Sequence, residues 1–239
     1  MKTVILSGGR GTRLAPYTSV LPKPLLPIGE RAILEIVVEQ LREAGFTDVV
    51  LSVGYLAHLI QAVFDNGPSR GLNISYVHED SPLGTAAPLR LVEGLDDTFL
   101  VMNGDVLTTL DHRALVDFHR ASGFEITIAS HVRKTRFDYG VLEADESGRL
   151  LAFSEKPEVT SLVSMGIYVM EPQVLELIPA GEHFDFPDLV HALIAGGRAV
   201  GVYPYSGYWR DLGRHEDYVA ANEEWETERT ASRADEPAR

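Results

Sequence analysis

The sequence contains no cysteine. That absence excludes disulfides, thiolate metal centres and cysteine nucleophiles together, and fits a reducing, cytoplasmic compartment. Positive charge is also short: 21 Lys and Arg stand against 35 Asp and Glu in 239 residues, a formal net charge of −14. So acidic a chain is a poor partner for nucleic-acid backbones or anionic membranes. Long apolar runs are missing as well. Gly8, Gly9 and Arg10 interrupt the stretch after Lys2 before it could form a signal-peptide core. The longest charge-free stretch, Val49 to Phe64, contains Gly54, Tyr55, His58 and Gln61 and falls short of the ~20 apolar residues of a membrane span. There is no internal repeat or low-complexity tract. The expectation is a cytoplasmic protein with one domain over residues 1–226 and a polar, mobile tail from residue 227 to 239.

The charge is unevenly placed. From Met1 to Arg31 the charged residues are Lys2, Arg10, Arg13, Lys23 and Arg31 against Glu30 alone, so an acidic chain opens on a basic segment.

The first half alternates strand and helix patterns. Strand Thr3–Leu6 precedes a helix over Ala32–Ala44, with Ile33, Val37, Leu41 and Ala44 on one face and Gly45 as its stop. Strand Val49–Val53, a helix near Leu56–Phe64, strand Ile74–His78, a helix over Thr85–Val92 and strand Thr98–Met102 follow. Val49-Val50-Leu51 and Phe99-Leu100-Val101-Met102 lack polar alternation, as strands buried on both faces do. This order predicts an α/β fold, Rossmann-like and three-layered, with a mostly parallel sheet.

After a helix near Arg113–Ala121, strands Glu125–His131, Gly140–Glu143, Leu150–Phe153 and Val163–Met170 come close together, with Glu146-Ser147-Gly148 as a turn. They predict an antiparallel insertion on the substrate side, a lid or platform beside the parallel sheet. Helices near Val174–Ile178, Asp188–Ala195 and His215–Glu226 complete the domain.

Strand Thr3–Leu6 runs into Ser7-Gly8-Gly9-Arg10-Gly11-Thr12-Arg13-Leu14. Glycines here allow close backbone approach and successive N–H groups aimed at one anion, while Thr12 adds a hydroxyl and Arg13 a forked cation. The dinucleotide fingerprint fails because Leu14 stands where its third glycine belongs, and no Gly-Lys-Ser/Thr of a Walker loop is present. Ten residues after Arg13, Pro22-Lys23-Pro24-Leu25-Leu26-Pro27 stiffens the backbone around one lysine. Taken singly, the two segments also fit a flexible surface loop and a proline-bounded turn.

Together they carry a resemblance. Gly8-Gly9-x-Gly11-Thr12-Arg13-Leu14, then Pro22-Lys23-Pro24-Leu25, Pro82-Leu83-Gly84-Thr85-Ala86, Asn103-Gly104-Asp105, Glu155-Lys156-Pro157 and Trp209-x-Asp211-x-Gly213 resemble the signature of sugar-1-phosphate nucleotidylyltransferases over residues 1–222. The resemblance implies a reaction of nucleoside triphosphate with sugar 1-phosphate to give a nucleoside diphosphate sugar and pyrophosphate. It implies nucleotide contacts from Leu6, Gly8, Gly9, Gly11, Thr12, Arg13, Lys23, Glu79, Pro82, Gly84, Thr85 and Asn103, and sugar-phosphate contacts from Gly140, Glu155, Lys156, Ser164 and Trp209. Arg13, Lys23, Asp105 and Lys156 are the expected catalytic residues.

Asp105 follows a buried strand at the end where α/β proteins bind ligands, and with Asp211 and phosphate oxygens it forms a donor set suited to Mg²⁺. Asp105 alone also fits a turn residue, Asp211 a salt bridge to Arg210 or Arg214, and Glu155-Lys156 an exposed pair. Glu79 falls where thymidylyltransferases of the family carry glutamine. A carboxylate offers acceptors only, suited to the N1–H and N2–H₂ of guanine. The surrounding stretch is similar to that of mannose-1-phosphate guanylyltransferases, with Ala87 where glycine is usual. Glu79 could equally end its strand facing solvent.

The expected function is therefore guanylyl transfer to a hexose 1-phosphate. The alternatives are the same reaction with dTTP, UTP, CTP or ATP, or with a heptose or cyclitol phosphate. A nucleotide-sugar glycosyltransferase is disfavoured because Asp105 is followed by Val106-Leu107 and no Asp-x-Asp, and a non-catalytic sensor because Arg13, Lys23, Asp105, Lys156 and Asp211 are retained together. The segments around Phe137-Asp138-Tyr139 and Ser164-Met165-Gly166 are the expected seat of sugar choice. Many relatives add a C-terminal β-helix that supports assembly, which the resemblance does not reach, so homo-oligomerisation stays open. None of the 8 histidines has metal-ligand spacing.

Overall fold

The computed structural model describes residues 1–79 and 81–234. In chain order the strands are β1 Lys2–Ser7, β2 Pro27–Ile28, β3 Arg31–Ala32, β4 Asp48–Val53, β5 Asn73–His78, β6 Phe99–Asn103, β7 Val106–Thr108, β8 Ile126–Arg136, β9 Gly140–Ala144, β10 Leu150–Glu155, β11 Glu158–Met170, β12 Val200–Tyr205 and β13 Trp209–Asp211. The helices are α1 Ile33–Glu43, α2 Ala57–Phe64, α3 His112–Ser122, α4 Phe186–Ala195 and α5 His215–Ala234. Seven strands form the main sheet in the order β12-β8-β11-β6-β1-β4-β5. β1 pairs in parallel with both β4 and β6, and β4 with β5.

The pleat sorts the apolar strands into two layers. Ile5, Leu51 and Met102 stand side by side and face α1, α2 and α3. Val4, Val50 and Val101, one residue earlier in each strand, face α4 and two 3₁₀ turns on the other side. This is why those strands carry no polar alternation, and it confirms the three-layer expectation. A third, smaller core lies below the carboxyl ends of β1 and β6, where Leu14, Leu26, Leu107 and Leu212 meet Ile33 and Ile36 of α1 and Trp225 of α5. Helix α1 therefore buries two faces: Val37 and Leu41 enter the first core as expected, whereas Ile33 belongs to the third.

Five expectations need correction. The segment over Thr85–Val92 is no α-helix but a 3₁₀ turn at Ala87–Leu91, because the Ala86 and Ala87 amides are spent on the Phe184 carbonyl and Pro88 follows. Val174–Ile178 is likewise a 3₁₀ turn, Pro172–Leu177, begun by a proline. Strands β2, β3, β7, β12 and β13 are additional. β12 is an edge strand parallel to β8, where Pro204 removes one ladder donor and masks the strand pattern. β11 does not lie beside the main sheet but inside it, antiparallel to both β6 and β8. Beyond a register shift between Ser164 and Tyr168, β8 and β11 leave the sheet as a two-stranded ribbon next to the β9–β10 hairpin. Helix α5 continues through Ala234, beyond Glu226, so part of the expected tail is helical; residues 235–239 lie outside the described residues.

Candidate active site

The carboxyl ends of β1, β4, β5 and β6 open onto one crevice. At the end of β1 the chain turns through Gly8, Gly9 and Gly11 into a 3₁₀ turn, Thr12–Leu14. Gly54, just after β4, comes so close that a Cβ there would sit 2.9 Å from the Gly8 oxygen. Gly11 has φ +60, and a Cβ on it would meet Thr18 at 3.0 Å and Lys23 at 3.1 Å. The Thr18 hydroxyl donates to the Gly11 carbonyl at 2.9 Å. The glycine loop is thus held by the following proline-rich segment, and Thr18 is a loop residue that the sequence did not single out.

Lys23 sits between Pro22 and Pro24 and is 8% exposed. Its ammonium pairs with the Asp105 carboxylate, which lies in the turn from β6 to β7. Asp211 arrives from the other end of the chain, because β13 pairs with β7 and sets Asp211 opposite Val106. Desolvation first, and the Asp105 charge second, raise the Asp211 carboxyl above the usual carboxylate range, while Lys23 and Arg13 pull it down. The Arg13 guanidinium covers Gly213, where a Cβ would lie 3.4 Å from both of its terminal nitrogens and 3.1 Å from Asp211 Oδ1. Arg210 does not pair with Asp211; it makes a two-pronged contact with Glu224 at 2.8 and 2.7 Å.

Each of these four charged residues stands beside a member of the third core. Leu14 follows Arg13, Leu26 comes three residues after Lys23, Leu107 two after Asp105, and Leu212 directly after Asp211. The apolar floor fixes the backbone from which the charges project.

On the other side of the loop, Glu79 extends β5 and bends back over Gly8, whose added Cβ would sit 2.5 Å from Glu79 Oε1. The buried Ser52 hydroxyl donates to Oε1 at 3.0 Å and the Leu83 amide to Oε2 at 3.4 Å. The segment Leu83–Ala87 is stapled to Phe184–Phe186. Thr85 donates twice to Asp185 Oδ1, from its amide at 2.8 Å and its hydroxyl at 2.9 Å, and its hydroxyl accepts from the Phe186 amide at 3.0 Å. Gly84, at φ +90, packs where a Cβ would meet the Phe184 oxygen at 2.8 Å. Thr85 is therefore a clamp for the loop behind Pro82 and Gly84. Its partner Asp185 lies a hundred residues away and carried no sequence signal.

Leu6 and Asn103 are register partners across β1 and β6. The Asn103 side chain packs against Gly166, where a Cβ would lie 2.6 Å from its Nδ2. Ser164 spans the β11 irregularity, accepting from the Gly166 amide at 3.3 Å and donating to Tyr168 at 3.2 Å. Trp209 donates from its indole to the Met165 carbonyl at 3.0 Å, tying that irregularity to β13. Gly140 and Glu155 are opposite each other in the β9–β10 hairpin. Lys156 follows in a left-handed conformation, φ 44, rare for a residue with a side chain. Among the described residues, no hydrogen bond or ion pair links Glu155 or Lys156 to the glycine loop or to Asp105 and Asp211.

Among the described residues there is also no group of three or more acidic or histidine side chains placed to hold a metal ion. What is present is the carboxylate pair Asp105 and Asp211, with the Asp105 charge helping to raise the Asp211 carboxyl, an all-oxygen donor set that fits a hard divalent cation completing its shell from substrate phosphates and water. No helix of the described residues is long and apolar enough to cross a membrane.

These features define an α/β protein of the Rossmann-like, three-layer kind, with a charged crevice at the carboxyl ends of its parallel strands. Comparison with known proteins goes further: residues 2–228 match the nucleotidyl transferase family, and the chain belongs to it. It is 34% identical over 241 residues to the UTP–glucose-1-phosphate uridylyltransferase of Synechocystis sp., covering 92% of this chain and 62% of that protein. It is 37% identical over 223 residues to the mannose-1-phosphate guanylyltransferase of Mycobacterium tuberculosis, covering 90% of this chain and 62% of that protein. The chain thus spans 62% of the length of these curated relatives. A crystal structure from Bacillus anthracis, described as a glucose-1-phosphate thymidylyltransferase in complex with a sucrose, superposes with a TM-score of 0.75 at 25% identity, covering 100% of this chain and 98% of that one.

Proposed function

We propose that the protein joins a nucleoside triphosphate to a sugar 1-phosphate, releasing pyrophosphate. The observation that carries this reading is the convergence of Arg13, Lys23, Asp105 and Asp211 from three remote segments beside a glycine loop. The nucleophile is a phosphate oxygen of the sugar 1-phosphate. The second pKa of a phosphate monoester is ~6, so it is largely ionised at neutral pH and needs no general base. The new bond forms from that oxygen to the α-phosphorus, the bond from the α-phosphorus to the bridging oxygen breaks, and the electron pair leaves with the diphosphate. What remains for the protein is to align two polyanions and offset their charge. Arg13 and Lys23 hold the triphosphate end that departs. Lys156 holds the sugar phosphate, Glu155 accepts from sugar hydroxyls, and Gly140 lets the ring lie flat. Asp105 and Asp211 would hold Mg²⁺, which when bound offsets charge developing on the α-phosphate.

GTP is the proposed nucleotide. Both Glu79 oxygens keep acceptor capacity beyond the bonds from Ser52 and Leu83, and they overhang the glycine loop, an arrangement suited to the paired donors of guanine. The guanylyltransferase relative supports the same reading, while the uridylyl and thymidylyl relatives make UTP and dTTP its rivals. A matrix of five nucleoside triphosphates against several sugar 1-phosphates, read by pyrophosphate release, tests both parts. GTP with a hexose 1-phosphate is expected to be fastest. Glu79→Gln is expected to lower the preference for GTP over UTP and dTTP by about 10-fold or more in kcat/KM, since a matched pair of base contacts is worth about 1–3 kcal/mol. An unaltered preference would show that the base is read elsewhere, and absence of pyrophosphate release in every cell of the matrix would refute the reaction.

A further inference from the structure

Next to the reaction centre lies a cavity of about 540 Å³ that the proposed substrates leave unassigned. Arg13 and Asp211 line its inner end, Arg133 and Lys134 of β8 one wall, and Arg210 and Arg214 the wall before α5. Most of its charges are already matched. Arg210 is held by Glu224, with Asp217 3.9 Å away, and Lys134 pairs with Glu158 at 3.1 Å. Arg133 and Arg214 make no ion pair among the described residues. In a chain with 35 acidic residues against 21 basic ones, two unmatched guanidinium groups facing the same cavity as Arg13 call for an anion.

We propose that this cavity is a second anion site that receives the departing diphosphate after it leaves Arg13, with Arg133 and Arg214 as its ligands. The identity of the ligand rests on the nucleotidyl-transfer reading; the existence of the anion site does not. Guanidinium forks match phosphate oxygens two at a time, which favours a phosphate ligand over a carboxylate spread along a chain. Geometry selects the phosphate. Glu79, on the base side, and Gly140, Glu155, Lys156 and Ser164, on the sugar side, line no part of this cavity; Arg13 does, and Trp209 is the one expected sugar-phosphate contact beside it. Of the groups near the cavity, the β and γ phosphates held by Arg13 are the ones that depart, since the sugar phosphate stays in the product. Space of this size takes a diphosphate together with its water and falls within the usual range for small-ligand sites. Diphosphate passes the same site on its way back to the α-phosphate, so the site bears on reversal as well as on release.

The test uses the double variant Arg133→Gln, Arg214→Gln of the full chain. Both positions are exposed, so folding should survive; matching circular dichroism checks this. Titration calorimetry with inorganic pyrophosphate alone requires no turnover, and the affinity is expected to fall about 10-fold or more. In the reverse reaction, the KM for pyrophosphate should rise by a similar factor while the KM for the nucleotide sugar does not. Equal pyrophosphate affinity in variant and parent would overturn the proposal, as would inorganic phosphate binding as tightly as pyrophosphate. If no nucleotidyl transfer occurs but pyrophosphate binding still depends on Arg133 and Arg214, the anion site stands and the reaction assignment falls. If transfer occurs and the KM for pyrophosphate is indifferent to both arginines, the inference falls and the reaction stands.

Discussion

Replacing Trp225 by alanine should loosen the proposed nucleotide site from beneath. The indole is 0% exposed, the largest fully buried side chain, and belongs to the small core that also holds Leu14, Leu26, Leu107 and Leu212. It packs on Tyr208 with ring centroids 5.6 Å apart. Its Nε1 has no hydrogen-bond partner among the described residues, so truncation strands no polar group and what is lost is packing. Losing a buried aromatic to alanine costs about 3–5 kcal/mol. For a chain of this size each kcal/mol shifts the melting temperature by about 2–4 °C, so the drop should be about 6–20 °C. Phenylalanine is the informative control. It keeps most of the contact area and removes an N–H whose unsatisfied burial costs about 1–3 kcal/mol, so Trp225→Phe should lose less than half as much as the alanine variant. Calorimetric melting of the three proteins gives the stability series. Steady-state kinetics well below the transition give the functional one, in which the alanine variant should show a KM for the nucleotide raised about 10-fold as Leu14 and Leu212 lose their backing. A melting shift under about 3 °C would refute the packing argument. A large shift with an unchanged KM would refute the link between this core and the charges above it.

Two further outcomes follow from the same geometry. His112 is buried with its Nε2 unpartnered among the described residues, and burial holds its pKa down at about 4, below the usual 6.5. The folded value lies below the unfolded one, so stability is complete above pH ~6.5 and is lost as pH falls toward ~4, by about 3 kcal/mol at most. His112→Leu should flatten the curve of urea midpoint against pH in that window. It should not abolish the slope, because burial also holds His119 low, with Glu171 opposing. Parallel curves for the two proteins would exclude His112. Asp105→Asn preserves shape but removes the charge opposite Lys23, so turnover should fall about 100- to 1,000-fold with little change in melting; turnover within 10-fold of the parent would remove Asp105 from the reaction.

How far the sequence could be read depends on the range of the interaction. The strand-to-loop passage at Thr3–Leu6, the glycines after it and the stiffened Lys23 are local matters of periodicity and backbone freedom, and the structure has them where the pattern put them. The alternation of Val4 with Ile5 and Val50 with Leu51 between two cores explains why buried strands were recognisable by their lack of polarity. Non-local features were hidden. Nothing near Thr85 announces Asp185, nothing near β8 announces that β12 will pair with it, and Trp225 looks like any aromatic on a polar helix until Leu14 and Leu212 are brought beneath it. The antiparallel strands were recognised, but their placement was not, because β11 enters the main sheet only through its last residues, Ile167–Met170, beside β6. Glu79 lies between these cases: its residue type was legible, whereas its anchor Ser52 lies on the neighbouring strand.

The strand order carries a consequence for how the molecule comes into being. β6, β1, β4 and β5 are contiguous in the sheet and all come from the first 103 residues, so one parallel half can assemble while the rest of the chain is still unstructured. The other half, β12, β8 and β11, docks along a single seam, β11 against β6. The crevice straddles this division in time. Its glycine loop belongs to the earliest strand, but Asp211 and the floor under Arg13 come with β13 and α5, after nearly two hundred intervening residues. Contacts so far apart in sequence carry a larger loop-closure cost than the local pairing of the first four strands. The four parallel strands alone would thus carry a sheet without the crevice's full set of charges, which is complete only when the two ends of the chain meet.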